Sequence, residues 1–425
     1  MAILIKVFFA PVKTIINLKN MLLTMRKVTL PNGLQIIHEL KKGNSVVVQV
    51  MVKTGSNYEA EDERGISHFL EHILFEGTTK RPTNREISNE IEKIGGDFNA
   101  YTTNERTCFY VKVLKKHFHK AVEILADIFH NPLFKEEHIT KERNIVLKEI
   151  DMVLDEPSYY QWILLQKHLF KEHPCKYPVY GNKTVIRTLT RKKIIDYFEK
   201  YYLPNNMTIS VVGDVKQWKE EIKHHFWQKE PQSVKKPVLP LEPVATKKNL
   251  TREKKDIVNT YTILGFKTVP RKHKDSAALE VINGILGRGQ SGKMFTEIRS
   301  RRGLAYDVGT QNVGEVNFGY FAIYATIDKK NVVLVRNLIL EELQKLQDIS
   351  EKELKEAKDF VEGHYLLEME DSQKIADQLL FWEHVGSAQM MKEFVKRIKE
   401  VTVNDIKRVV PLYFKNYTAV VLEGK

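Results

Sequence analysis

The residues best suited to chemistry lie in Gly65-Ile66-Ser67-His68-Phe69-Leu70-Glu71-His72-Ile73-Leu74-Phe75-Glu76-Gly77-Thr78, which contains His-x-x-Glu-His. On a helix, His68 and His72 stand one turn apart and share a face. Two imidazoles so placed suit zinc, which takes nitrogen donors in tetrahedral geometry. Glu71 projects towards the same face, and a glutamate beside the metal but not spent on ligation can take a proton from water. The competing reading is two surface histidines on an amphipathic helix.

A catalytic zinc needs a third protein ligand and one open position. The stretch Glu136 to Leu154 reads as a helix carrying Glu142 and Glu149, seven residues apart and hence on one face. Glu149 sits in Val146-Leu147-Lys148-Glu149-Ile150, among apolar residues where an unpartnered carboxylate is costly. A metal would supply the partner. Glu142 would then hydrogen-bond a ligating histidine or steer the water. The alternative for both is an ordinary solvent-facing position.

The elements that must position these side chains follow from periodicity. Val46–Val52 and Phe109–Leu114 read as strands. Ile66–Leu74, Asn84–Ile94, His119–Phe129, Glu136–Leu154 and Ser276–Leu286 read as helices. Strands without a regular strand-helix-strand rhythm point to α+β. Pro231, Pro237, Pro240 and Pro243 exclude regular structure and mark a linker. The predicted organisation is an extension over 1–24, a metal-binding domain over 25–228, a linker over 229–250 and a second domain over 251–425. The halves look like repeats. Leu189-Thr190 opens a helical stretch leading to Tyr201-Tyr202 and the strand Met207–Val212. Val401-Thr402 opens another, leading to Tyr413-Phe414 and Thr418–Val421.

The 425 residues carry a net charge of +13, from 50 Lys and 17 Arg. Base readout and bidentate phosphate clamps favour Arg, so the lysine excess reads as solvated surface and no nucleic-acid partner is expected. No apolar run reaches membrane-spanning length. Cys108 and Cys175 form no disulfide framework, and a reducing, cytoplasmic setting is expected, with an organellar matrix as the alternative. Residues 1–24 lack the unbroken apolar core of a secretory signal and the Arg and Ser of a mitochondrial presequence. They read as a non-domain extension or an over-long start, with Met21 and Met25 as other starts and a surface anchor as the lesser alternative.

The motif resembles the inverted zinc motif of the pitrilysin-type metallopeptidases. In that family a glutamate ligand follows the last histidine after about seventy-six residues, and 76 residues lie between His72 and Glu149. A glutamate that supports the ligands without binding the metal stands seven positions earlier, at Glu142. Glu63-Arg64-Gly65, Phe75-Glu76-Gly77-Thr78 and Asp155-Glu156-Pro157 also match, while Lys148 replaces a frequent glutamate. The resemblance implies one zinc on His68, His72 and Glu149, and Glu71 as the base. It implies that Asn99 and Ala100, in a strand following Gly95-Gly96, hold a peptide substrate. Arg299 and Tyr306, seven residues apart in the second half, would hold the peptide carbonyl and the oxyanion. It further implies two homologous domains, each a mostly antiparallel sheet with helices, forming half of a clam-shell chamber closed by a homodimer. The resulting expectation is a zinc endopeptidase; the family's other possibility is a non-catalytic or partner subunit of a processing-peptidase-like heterodimer. The glycine-rich stretch Gly284–Gly292 lacks the Gly-Lys-Ser/Thr ending of a phosphate loop.

Overall fold

A computed structural model describes residues 25–227 and 230–424, so the predicted extension over 1–24 lies outside the described residues. The first half opens with strands β1 (Arg26–Thr29), β2 (Gln35–Glu39) and β3 (Ser45–Val52). Helices α1 (Ile66–Leu74) and α2 (Asn84–Glu92) follow, then β4 (Asp97–Thr102) and β5 (Thr107–Leu114). Helices α3 (Phe118–His130), α4 (Glu136–Asp155), α5 (Pro157–Leu169), α6 (Lys183–Thr188) and α7 (Arg191–Tyr201) lead to β6 (Met207–Val212) and α8 (Trp218–Phe226). The second half runs β7 (Asn249–Lys255), β8 (Thr260–Lys267), α9 (Ser276–Gly287), β9 (Ala305–Gly314) and β10 (Gly319–Ile327). It ends with α10 (Val332–Lys345), α11 (Glu351–Glu368), α12 (Ser372–Val385), α13 (Met390–Glu400), α14 (Val403–Tyr413) and β11 (Thr418–Gly424).

The strands form two sheets, ordered β1-β2-β6-β3-β5-β4 and β7-β11-β8-β10-β9. Each holds one parallel pair, β2 with β6 and β7 with β11, and is otherwise antiparallel. From β2 and β7 onward the two orders are the same, so the repeat expected from the terminal segments extends through both sheets. The capping threonines act alike in each copy. Thr190 Oγ1 accepts from Lys193 N, and Thr402 Oγ1 accepts from Asp405 N. A side-chain oxygen there satisfies an amide that the first helical turn leaves without a partner.

Several boundaries differ from expectation. α2 stops at Glu92 rather than Ile94, because Gly95 takes φ +71 and turns the chain into β4. α4 and α9 each run one residue further, to Asp155 and Gly287. The irregular connector ends at 248, because Asn249 and Leu250 join β7 beside Thr418 and Ala419. Among the described residues no helix is long and apolar enough to cross a membrane.

One face of each sheet packs on helices of its own half. Val48, Val50 and Phe109 meet Phe69, Leu125 and Val146, and Phe266 and Phe321 meet Ile282, Ile339 and Phe414. The second faces are covered reciprocally. α12 of the second half lays Ile375, Leu379 and Trp382 on Ile37, Val47 and Val212 of the first sheet. α5 of the first half lays Leu164, Leu165 and Leu169 on Ile263, Tyr320 and Val420 of the second. Strands buried on both faces read as near-continuous apolar runs, as Val46–Val52 does around the single polar Gln49. Each large apolar side chain fully buried at such a face contributes about 1.5–3 kcal/mol. The exchange of helices therefore locks the halves together.

Candidate metal centre

α1 carries His68, Glu71 and His72. Its start is fixed by Gly65, whose φ of +100 and 2.6 Å approach to the Tyr180 carbonyl (measured to a Cβ placed there) exclude a side chain. The buried Glu59 carboxylate accepts from Gly65 N at 2.8 Å and Ser67 N at 2.9 Å, occupying amides at the helix N-terminus. Desolvation pushes Glu59 up to about 7, against those hydrogen bonds. α4 crosses α1 and brings in Glu142 and Glu149.

Glu149 Oε2 lies 3.4 Å from His72 Nε2 and 3.8 Å from His68 Nε2. The donor atoms of His68, His72 and Glu149 all fall within 4.8 Å of one another. Tetrahedral zinc with bonds near 2.0–2.1 Å sets its donors roughly 3.3 Å apart, so this His-His-carboxylate set fits the ion with small adjustments. On its other nitrogen, His72 Nδ1 lies 3.1 Å from Glu142 Oε2. A carboxylate there orients the ring and leaves Nε2 to a metal. Glu142 is buried, and Lys141 Nζ lies 3.5 Å from its Oε1 while also donating to Glu76 at 2.8 and 2.9 Å.

The electrostatics separate the two imidazoles. Burial, reinforced by His72, lowers His68 below the usual imidazole range. Burial also acts to lower His72, but its hydrogen bonds to the carboxylates of Glu142 and Glu149 outweigh it and raise the group. The hydrogen bond with His72 lowers Glu149, against its own desolvation.

Glu71 is not among the three converging donors. Its Oε2 accepts from Thr102 Oγ1 at 2.6 Å, and its carboxyl is raised by burial. No spacing in the sequence singles out Thr102. The one available signal was its position in the strand that begins after Gly95-Gly96. That strand, β4, is the outermost of its sheet. Thr103 N donates to Arg106 O at 2.8 Å, so by antiparallel alternation the Ala100 amide faces away from β5. It donates instead to Asn99 Oδ1 at 2.8 Å. Asn99 and Ala100 join Glu71, His72 and Glu142 around an open cavity of about 230 Å³.

Arg299 and Tyr306 come together, but away from that cavity. Arg299 lies in a π-helical turn, Phe295–Ser300, and its guanidinium stands 5.8 Å from the centre of the Tyr306 ring. Tyr306 is the second residue of β9, the outermost strand of the second sheet, and is 79% exposed. The lining of the cavity comes from the first half alone. The glycine-rich stretch before this turn is explained by packing. A side chain on Gly287 would collide with Thr310 Oγ1, and one on Gly284 would press on Val361.

Residues 35–183 match the model of Insulinase (Peptidase family M16), and residues 188–361 match the model of the Peptidase M16 inactive domain. The chain is 31% identical over 382 residues to the uncharacterized zinc protease YmxG of Bacillus subtilis, covering 87% of this chain and 91% of that one. It is 29% identical over 416 residues to an uncharacterized zinc protease of Streptomyces coelicolor, covering 94% and 89%. The crystal structure of a protease from Helicobacter pylori superposes with a TM-score of 0.89 at 26% identity, covering 94% of this chain and 99% of that one. A peptidase M16 inactive domain structure from Pseudomonas fluorescens shares the fold, with a TM-score of 0.84 at 18% identity over 95% and 99%.

Proposed function

Since the chain belongs to the insulinase family of peptidases, M16, we propose that it is a zinc-dependent endopeptidase acting on peptides or small unfolded polypeptides. The observation that carries the reading is the convergence of His68, His72 and Glu149 beside Glu71, which stands outside that donor set. One zinc per chain would be held by the first three. Zinc supplies Lewis-acid chemistry, polarising the scissile carbonyl and acidifying water.

The remaining steps belong to the chain's own residues. Glu142 fixes the His72 ring through Nδ1. Glu71 takes the proton of the attacking water and passes it to the departing amine. Thr102 holds that carboxylate in place. The free edge of β4 takes the peptide as an added strand, with the Ala100 amide exchanging Asn99 Oδ1 for a substrate carbonyl. Backbone pairing of this kind tolerates varied sequences.

Arg299 and Tyr306 complete the reading as donors to the peptide carbonyl and the oxyanion. They do not line the Glu71 cavity within one chain. A second copy closing over the first, as a homodimeric chamber, would supply them. The intact donor set argues against a non-catalytic subunit. The test is Glu71→Gln, assayed with a quenched peptide and by metal analysis. Zinc content should match the parent while cleavage falls by about 10²–10⁴-fold or more. Full cleavage by the variant would overturn the mechanism.

A further inference from the structure

Away from the centre on α1 and α4, a second group of side chains has the composition of a metal site. Glu221 and His225 are one turn apart on α8 and share a face, and His119 reaches them from the first turn of α3. Their donor atoms all lie within 4.8 Å of one another. Glu221 Oε1 contacts His119 Nδ1 and lies 3.1 Å from His225 Nε2. His225 Nε2 is out of contact with solvent and not in hydrogen-bonding geometry with that oxygen. The His119 and His225 ring centres are 5.1 Å apart, tilted at 58°, so their nitrogens converge on the carboxylate without stacking.

We propose that His119, Glu221 and His225 form a second cation site, taking a divalent transition metal of the zinc class. Imidazole nitrogens select against calcium and magnesium, which prefer all-oxygen shells. Three protein donors leave a position for water. His119 is 65% exposed on its side chain, so the ion exchanges with solvent. The three residues do not line the cavity beside Glu71, and the role that fits is structural. α8 is the last element before the irregular connector, and its inner face is held by the buried Trp218, Ile222 and Phe226. An ion between His119 and His225 pins its outer face to α3, residues about one hundred positions apart in the chain. Binding to the folded state alone raises stability with free metal concentration.

The test uses the full-length chain, equilibrated with micromolar zinc, desalted and analysed for metal. The parent should hold about two equivalents, and His68→Ala/His72→Ala and His119→Ala should each hold about one. In the His68→Ala/His72→Ala background, added zinc should raise the unfolding midpoint by several degrees, and further His119→Ala or Glu221→Gln should abolish the shift. Both outer substitutions are at solvent-accessible positions, and His119→Ala should keep the parent's peptide cleavage. The proposal is overturned if His68→Ala/His72→Ala holds no zinc, or if His119→Ala and Glu221→Gln both bind as much as the parent. Loss of the α1–α4 equivalent would leave the outer one intact, so failure of the peptidase reading and failure of this one give different metal counts.

Discussion

Thr102 Oγ1 donates to Glu71 Oε2 at 2.6 Å, joining the outermost strand of the first sheet to the helix that carries His-x-x-Glu-His. The group proposed to move the proton is thus held by the strand proposed to hold the peptide. Thr102→Val keeps the side-chain shape and removes the donor. A hydrogen bond to a charged group is worth about 1.5–3 kcal/mol, so kcat should fall by roughly tenfold to a hundredfold. Zinc content and KM should stay near the parent's. Steady-state kinetics with an unchanged kcat would refute the role of Thr102.

Glu142 acts through His72 rather than on substrate. Glu142→Gln removes the carboxylate charge beside His72 Nδ1 at nearly constant volume. Zinc affinity should drop by about 10–100-fold, measured by competition with a chelator. The unfolding midpoint of the metal-free chain provides the control for a purely structural effect. Unchanged zinc affinity would place Glu142 outside the metal's support.

The Ala100 amide gives a test of strand addition. Because it faces away from β5, Ala100→Pro removes no ladder bond within the sheet, and proline is tolerated on outermost strands. One lost backbone bond to the peptide, about 1 kcal/mol, should raise KM several-fold while metal content is kept. A KM equal to the parent's would exclude peptide pairing at this position.

The junction between the halves carries a pH dependence. Glu105, fully buried, accepts from Val316 N at 2.6 Å and Asn317 N at 2.9 Å in the turn between β9 and β10. Burial, with Glu315 adding to it, raises its carboxyl from 4.5 to about 7 despite those bonds. Between these values the folded chain holds more protons than the unfolded chain, so this group's contribution to stability falls as pH rises through the window. Below it the carboxyl is neutral in both states, and above it ionised in both. Glu105→Gln should flatten the decline between pH 5 and 7 by about one proton, read from denaturant midpoints. A slope identical to the parent's would refute the assignment.

Much of the molecule was legible in the sequence because local rules govern it. Helical spacing placed His68 and His72 on one face, and the span Ile66–Leu74 is the helix found. The apolar run Val46–Val52 reads as a strand, and Leu189-Thr190 and Val401-Thr402 open the helices found there. Four prolines required an irregular connector. The seven-residue spacing of Glu142 and Glu149 put both carboxylates on one face of α4, but nothing local aimed that face at α1.

What only the tertiary structure decided are the relationships with no period. Crossing of α1 by α4 brings Glu149 to 3.4 Å from His72 Nε2 across 76 intervening residues. Thr102 reaches Glu71 only because β4 lies against α1. α5 and α12 exchange partners between the sheets, which explains the doubly buried strands. Spacing along a chain fixes which side chains share a face, because helix and strand geometry repeat. Which faces meet depends on burying apolar surface from distant segments together, and that is settled only when the whole chain packs.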